Sequence, residues 1–128
     1  VLQLAHLRTW TVASAALIGA VFCLSLVPIE SQVEVLANFD KLEHALAYML
    51  LAVWFAGLYA RKDYWRIGLA LAALGLVIEI LQHVMALGRS GDPRDMVANI
   101  SGICLGLALA VWRAGGWALK VEAWLSRN

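Results

Sequence analysis

Apolar residues fall into four long blocks, separated by short clusters of charge, glycine and proline. Residues 10–27 carry no charge, with Trp10 placed to anchor the start at a lipid headgroup interface and Pro28 to stop the run. Further blocks follow over residues 42–59, 65–87 and 94–114, the last broken by Gly115 and Gly116. A helix rises 1.5 Å per residue, so about 20 apolar residues cross a hydrocarbon core about 30 Å thick. The pattern therefore predicts an all-α fold: an integral membrane four-helix bundle with spans at about residues 10–28, 42–60, 65–87 and 94–114, forming one domain over residues 1–128. After the glycine pair, Trp117, Val121, Trp124 and Leu125 alternate with Lys120, Glu122 and Arg127, the pattern of a short amphipathic helix lying on the membrane surface.

The connections are short and differ in character. Residues 30–38 set Glu30, Gln32 and Glu34 against Val33, Val35, Leu36 and Ala37, enough for a short turn or interfacial helix but not a crossing, and read first as a solvated loop. Asn38 or Asp40 is suited to cap the helix that follows, and Asp40 to Glu43 has the spacing of a capping box. Residues 61–66 form a basic turn flanked by aromatics. Asp92-Pro93 is a good helix start, with Asp95 a second acid at the positive helix end.

Composition agrees with the blocks: 62% of residues are hydrophobic and mean hydropathy is +0.77, against roughly 45–50% apolar content in soluble domains. A chain of 128 residues with four spans leaves no length for a soluble catalytic domain. Any activity must be built from helix ends, turns and side chains inside the bundle. Net charge is +1, but its placement is uneven. Arg8, Arg61, Lys62, Arg66, Arg113, Lys120 and Arg127 fall on the side of the two termini, and only Lys41, Arg89 and Arg94 on the other. The positive-inside rule then makes both termini cytoplasmic, with Trp10, Trp65, Trp112 and Trp117 at the inner interface. Cys23 and Cys104 lie in apolar runs at no metal or redox spacing, so neither a disulfide nor a cofactor is expected.

The polar residues within the apolar blocks carry the candidate chemistry, because burying them in hydrocarbon is costly. Asp40, His44 and Tyr48 are spaced by four and share a helix face, with Lys41 beside them. Glu79, Gln82 and His83 cluster on the third span, Glu79 about nine residues or roughly 13 Å from an expected helix end at Gly88. Asp95, Asn99, Gly102 and Gly106 form one stripe on the fourth, with the glycines at the spacing that lets membrane helices approach closely. With Arg89 and Asp92 in the turn, these groups are expected to converge on one polar pocket in the outer leaflet.

The pattern Asp40-Lys41-x-x-His44-x-x-x-Tyr48, then Glu79-x-x-Gln82, then Arg89-x-x-Asp92-x-x-Asp95-x-x-x-Asn99-x-x-Gly102-x-x-x-Gly106 resembles the VanZ-like family of small membrane proteins, across about residues 25–110. The family is named for a teicoplanin-resistance protein. The resemblance implies a multi-pass protein of the bacterial cytoplasmic membrane with a role in the cell envelope; it supplies no reaction.

Two classes of function remain open from the residues. In the first, His44 and Glu79 move a proton while Asp40, Lys41, Tyr48, Gln82, Arg89, Asp92, Asp95 and Asn99 bind an anionic lipid-linked or peptidoglycan-related substrate. No nucleophile elbow, His-Glu-x-x-His motif or cysteine pair marks a known hydrolase. A divalent metal among Glu79, His83, His44 and Asp95 ranks below an ion-pair network. In the second class the polar cluster fixes helix register, and the chain is an accessory subunit of a larger membrane complex. A proton path through Glu79 is the weakest reading, since span three offers only apolar residues on the cytoplasmic side of it. Membrane lipids are the expected surroundings, and no nucleic-acid partner is expected.

Overall fold

The computed structural model describes residues 1–26, 34–85 and 93–127. Within them the chain forms α1 (Leu7–Leu26), α2 (Glu34–Leu58), a single 3-10 turn (Arg61–Asp63), α3 (Tyr64–Met85), α4 (Pro93–Leu109) and α5 (Trp117–Leu125). A π-helical turn, Ala110–Ala114, prolongs α4. No strand occurs among the described residues. Four of the helices are long and apolar enough to cross a membrane.

The second candidate span, Lys41–Leu58, falls where it is expected, but its expected cap does not hold. The helix expected to start after Asp40 begins at Glu34, so Asn38 and Asp40 lie inside α2 and neither caps it. Residues 34–39 contain no glycine or proline, and their Glu, Leu and Ala are strong helix formers. Nothing in the stretch stops a helix, and polarity alone made it look like a loop. Pro93 does open α4, with Asp95 in its first turn; the expected cap Asp92 lies outside the described residues, as does Arg89.

The centre of the bundle is the parallel contact of α2 with α4. A Cβ at Gly102 would collide with the carbonyl oxygen of Ala45, and one at Gly106 would sit 2.5 Å from the carbonyl of Met49 and 2.7 Å from the Cβ of Ala52. One turn of α4 thus slots against one turn of α2 with no side chain between the backbones. Without a hydrophobic drive between helices in lipid, such close packing is a main source of association. Around it Leu51, Ala56, Ile67, Leu71 and Ile103 form the apolar core with α3.

α1 is peripheral, and only its Ser14 is buried. Directed hydrogen bonds hold it instead. Trp54 Nε1 donates to Ser14 Oγ at 2.9 Å, and Gln82 Nε2 donates to the Ser25 carbonyl at 2.7 Å, satisfying an oxygen that the last turn of a helix leaves open. At the opposite end of α1, Glu122 of α5 accepts from the backbone N–H of Ala5 (2.8 Å) and His6 (2.9 Å) and from Trp10 Nε1 (2.8 Å). A carboxylate supplied from far along the chain therefore meets the positive end of α1. Trp10 packs edge to face against both Trp54 and Trp117 beside it, and Trp54 and Trp117 are tilted to each other, with centroids 5.2–5.9 Å apart.

Both termini consequently sit at one end of the bundle. Leu2 N donates to Leu58 O, and Gly116 N to Ala56 O, where Gly116 takes the left-handed conformation (φ 64°) that turns the chain into α5. The tryptophans expected at one interface divide into two groups: Trp10 and Trp117 are in the cluster, whereas Trp65 and Trp112 are exposed with Arg66 and Arg113 over their rings.

Two outcomes follow from this packing. Gly102→Ala should lower stability by about 1–3 kcal/mol in a detergent melt, as overpacking does, while Gly19→Ala, where a Cβ meets nothing within 4 Å, should not lower it. The carboxyl of Glu122 is held below its ordinary range, first by the His6 N–H and against an opposing loss of hydration, with the Ala5 N–H and the Trp10 indole adding to the effect. The clamp is therefore complete above the ordinary glutamate range and is lost as pH falls through the lower folded value. The Trp10 indole N–H resonance should shift on acidification in that window, and Glu122→Gln should remove the shift.

Candidate functional site

The end of the bundle away from the termini gathers the polar residues. α2 brings His44 and Tyr48, α4 brings Asp95 and Asn99, and all four are buried, Tyr48 and Asn99 to within 2% exposure. Their convergence follows from the glycine contact, since Asn99 lies one turn before Gly102 and His44 directly precedes Ala45. His44 Nδ1 and Asn99 Oδ1 lie 3.1 Å apart. Oδ1 can only accept, so in this pairing Nδ1 is the donor.

α3 closes the site through Gly75. A Cβ there would meet Asn99 Nδ2 at 3.1 Å and the Tyr48 hydroxyl at 3.2 Å, so the missing side chain is what admits both polar groups. The Tyr48 hydroxyl is enclosed and makes no hydrogen bond among the described residues. Glu79, one turn from Gly75 on the same face, is half-buried with Oε1 enclosed, and lies within electrostatic reach of that hydroxyl. Asp95 Oδ1 is enclosed one turn from Asn99, and Lys41 is half-buried one turn above Ala45. Glu79, Asp95 and Lys41 each take part in polar or electrostatic interactions, so none of these charges stands alone.

The expected site residues thus divide. His44 meets Asn99 between α2 and α4, Tyr48 and Asn99 both abut Gly75 of α3, Glu79 lies within electrostatic reach of Tyr48, and Asp95 is buried one turn before Asn99. Gln82 is buried at 3% exposure but its amide is spent on the end of α1. His83 is exposed and leaves the face of its neighbours, because a step of one residue turns about 100° around the helix. The Asp40 side chain, Arg89 and Asp92 are outside the described residues. No three His, Cys, Asp or Glu side chains among the described residues are placed to hold a metal ion, and Cys23 and Cys104 are free and exposed.

Reading the polar positions alone passed over the Ser14–Trp54 bond. The signal was present, since an indole N–H and a hydroxyl inside apolar spans each need a partner, and here they find each other.

The pairing of His44 with Asn99 is open to a double-mutant cycle. His44→Ala, Asn99→Ala and the double variant, melted in detergent, should give a coupling of about 0.6–1.7 kcal/mol, the range for hydrogen bonds between membrane helices.

Neither the curated proteins nor the solved structures contain a match to this chain. The VanZ/LLP1 family model, by contrast, matches residues 3–114, which takes in α1 to α4 and every buried polar residue described above, and the chain belongs to that family.

Proposed function

We propose that this VanZ-like membrane protein serves the bacterial cell envelope through a polar pocket in the outer leaflet, where it binds or acts on an anionic lipid-linked or peptidoglycan-related substrate. The observation that carries the reading is the enclosure of His44, Tyr48, Asp95 and Asn99 between two helices whose backbones touch. A buried hydroxyl left without a partner costs about 1–3 kcal/mol, so Tyr48 is a donor held ready for a group that the described residues do not supply. Lys41 and Arg89 are the cations suited to a phosphate or carboxylate. His44, bonded to Asn99, and Glu79 are suited to accept and return a proton. The excess of Lys and Arg on the termini side supports the orientation that places this pocket on the outer face of the cytoplasmic membrane.

A second reading rests on a specific observation too. The bonds from His44 to Asn99 and from Gln82 to Ser25 each join two helices, as a framework that fixes register in an accessory subunit would. One comparison separates the two. Glu79→Gln and His44→Gln, reconstituted in nanodiscs, should lose binding or turnover of a polyprenyl phosphate probe, by about 100-fold or more for an acid–base role, with unchanged yield and melting. Wild-type protein indifferent to the probe, together with variants that fall in yield and melting point, would leave the accessory reading in its place.

A further inference from the structure

A second feature lies near the opposite end of the bundle. α1 is fastened by side-chain bonds at three levels, Glu122 at its start, Ser14 midway and Ser25 near its end, and between the last two Leu17 and Val21 pack against the core. Between those fastenings α1, α2 and α3 leave a groove of about 510 Å³ walled by Ile18, Phe55, Ala70, Leu71 and Leu74. That volume falls in the range of about 300–1,000 Å³ that holds small ligands. Apolar walls give water no partners, so a groove exposed to a bilayer is filled by hydrocarbon.

The charged side chains that line the groove, Asp63 and Arg66, belong to the turn at the termini end and the first residues of α3, with Tyr59 lining the same groove from just past the end of α2. Arg61 and Lys62 stand exposed in the same turn, next to the groove rather than lining it, so this end carries three cations to one carboxylate within six residues. The Arg66–Asp63 pair, 3.3 Å long and three residues apart, has its guanidinium well exposed and contributes little to stability, so Arg66 is available to a stronger anion. An apolar channel with a net positive rim at one end has the shape and charge of a single anionic phospholipid.

We propose that this groove holds one acyl chain of an anionic phospholipid from the termini-side leaflet, its phosphate at Arg66 with Arg61 and Lys62 beside it. The site is separate from the polar cluster and stands whether or not that cluster binds a substrate. Each basic residue near an anionic headgroup is worth about fivefold in retention.

The test offers the detergent-solubilised protein equal amounts of phosphatidylglycerol and phosphatidylcholine and counts retained lipid by native mass spectrometry. One phosphatidylglycerol should be kept preferentially. Arg66→Gln should cut its retention about fivefold and leave phosphatidylcholine unchanged. Ala70→Trp, which fills the groove from an exposed position, should lower retention of both lipids without lowering the melting temperature. Equal retention of the two lipids by the wild type, or full retention by Ala70→Trp, would overturn the proposal; should Ala70→Trp fold poorly, the Arg66→Gln result decides alone.

Discussion

Everything at the polar end depends on how closely α2 and α4 approach. Hydrogen at Cα of Gly102 and Gly106 lets one helix lie on the carbonyls of Ala45 and Met49, and only at that separation can His44 reach Asn99. The same approach sets Tyr48 against Gly75 of α3, so three helices meet around side chains that would be costly to bury singly. Packing and chemistry are one arrangement here, because the atoms that permit contact are one turn away from the atoms that could react.

α1 and α5 obey a different rule. Hydrocarbon rewards neither helix for burying apolar surface, so α1 is held by hydrogen bonds from Glu122, Trp54 and Gln82. Every indole in the tryptophan cluster donates: Trp10 to Glu122, Trp54 to Ser14 and Trp117 to the Val53 carbonyl. This leaves α1 held by these bonds and by Leu17 and Val21 against the core, with the groove open beside Ile18. α5, which supplies the clamp, lies beyond the residues matched by the family model.

The two ends of the bundle therefore differ in kind. One encloses the His44–Asn99 hydrogen bond, a tyrosine hydroxyl and two carboxylates between tightly packed backbones. The other is basic, rich in tryptophan, and adjoins an apolar groove. With four candidate spans, the pocket proposed at the first end and the lipid contact proposed at the second lie apart on one chain.

Hydropathy by itself determined that there are four long apolar helices, and helical spacing determined which polar residues share a face, because both follow from local geometry: Asp95, Asn99, Gly102 and Gly106 read as one stripe and are all buried. The glycine pair at 115 and 116 likewise marked the turn into α5. Spacing could not decide where α2 begins, since residues 34–39 suit either a polar loop or the first turns of a helix. Nor could it say that Gln82 bonds the end of α1 while its neighbour His83 faces outward, or that Glu122 of a surface helix caps α1. Partners more than 50 residues apart are chosen by the three-dimensional register of α2, α3 and α4. That register is set by how near the backbones can come, a quantity no single helix contains.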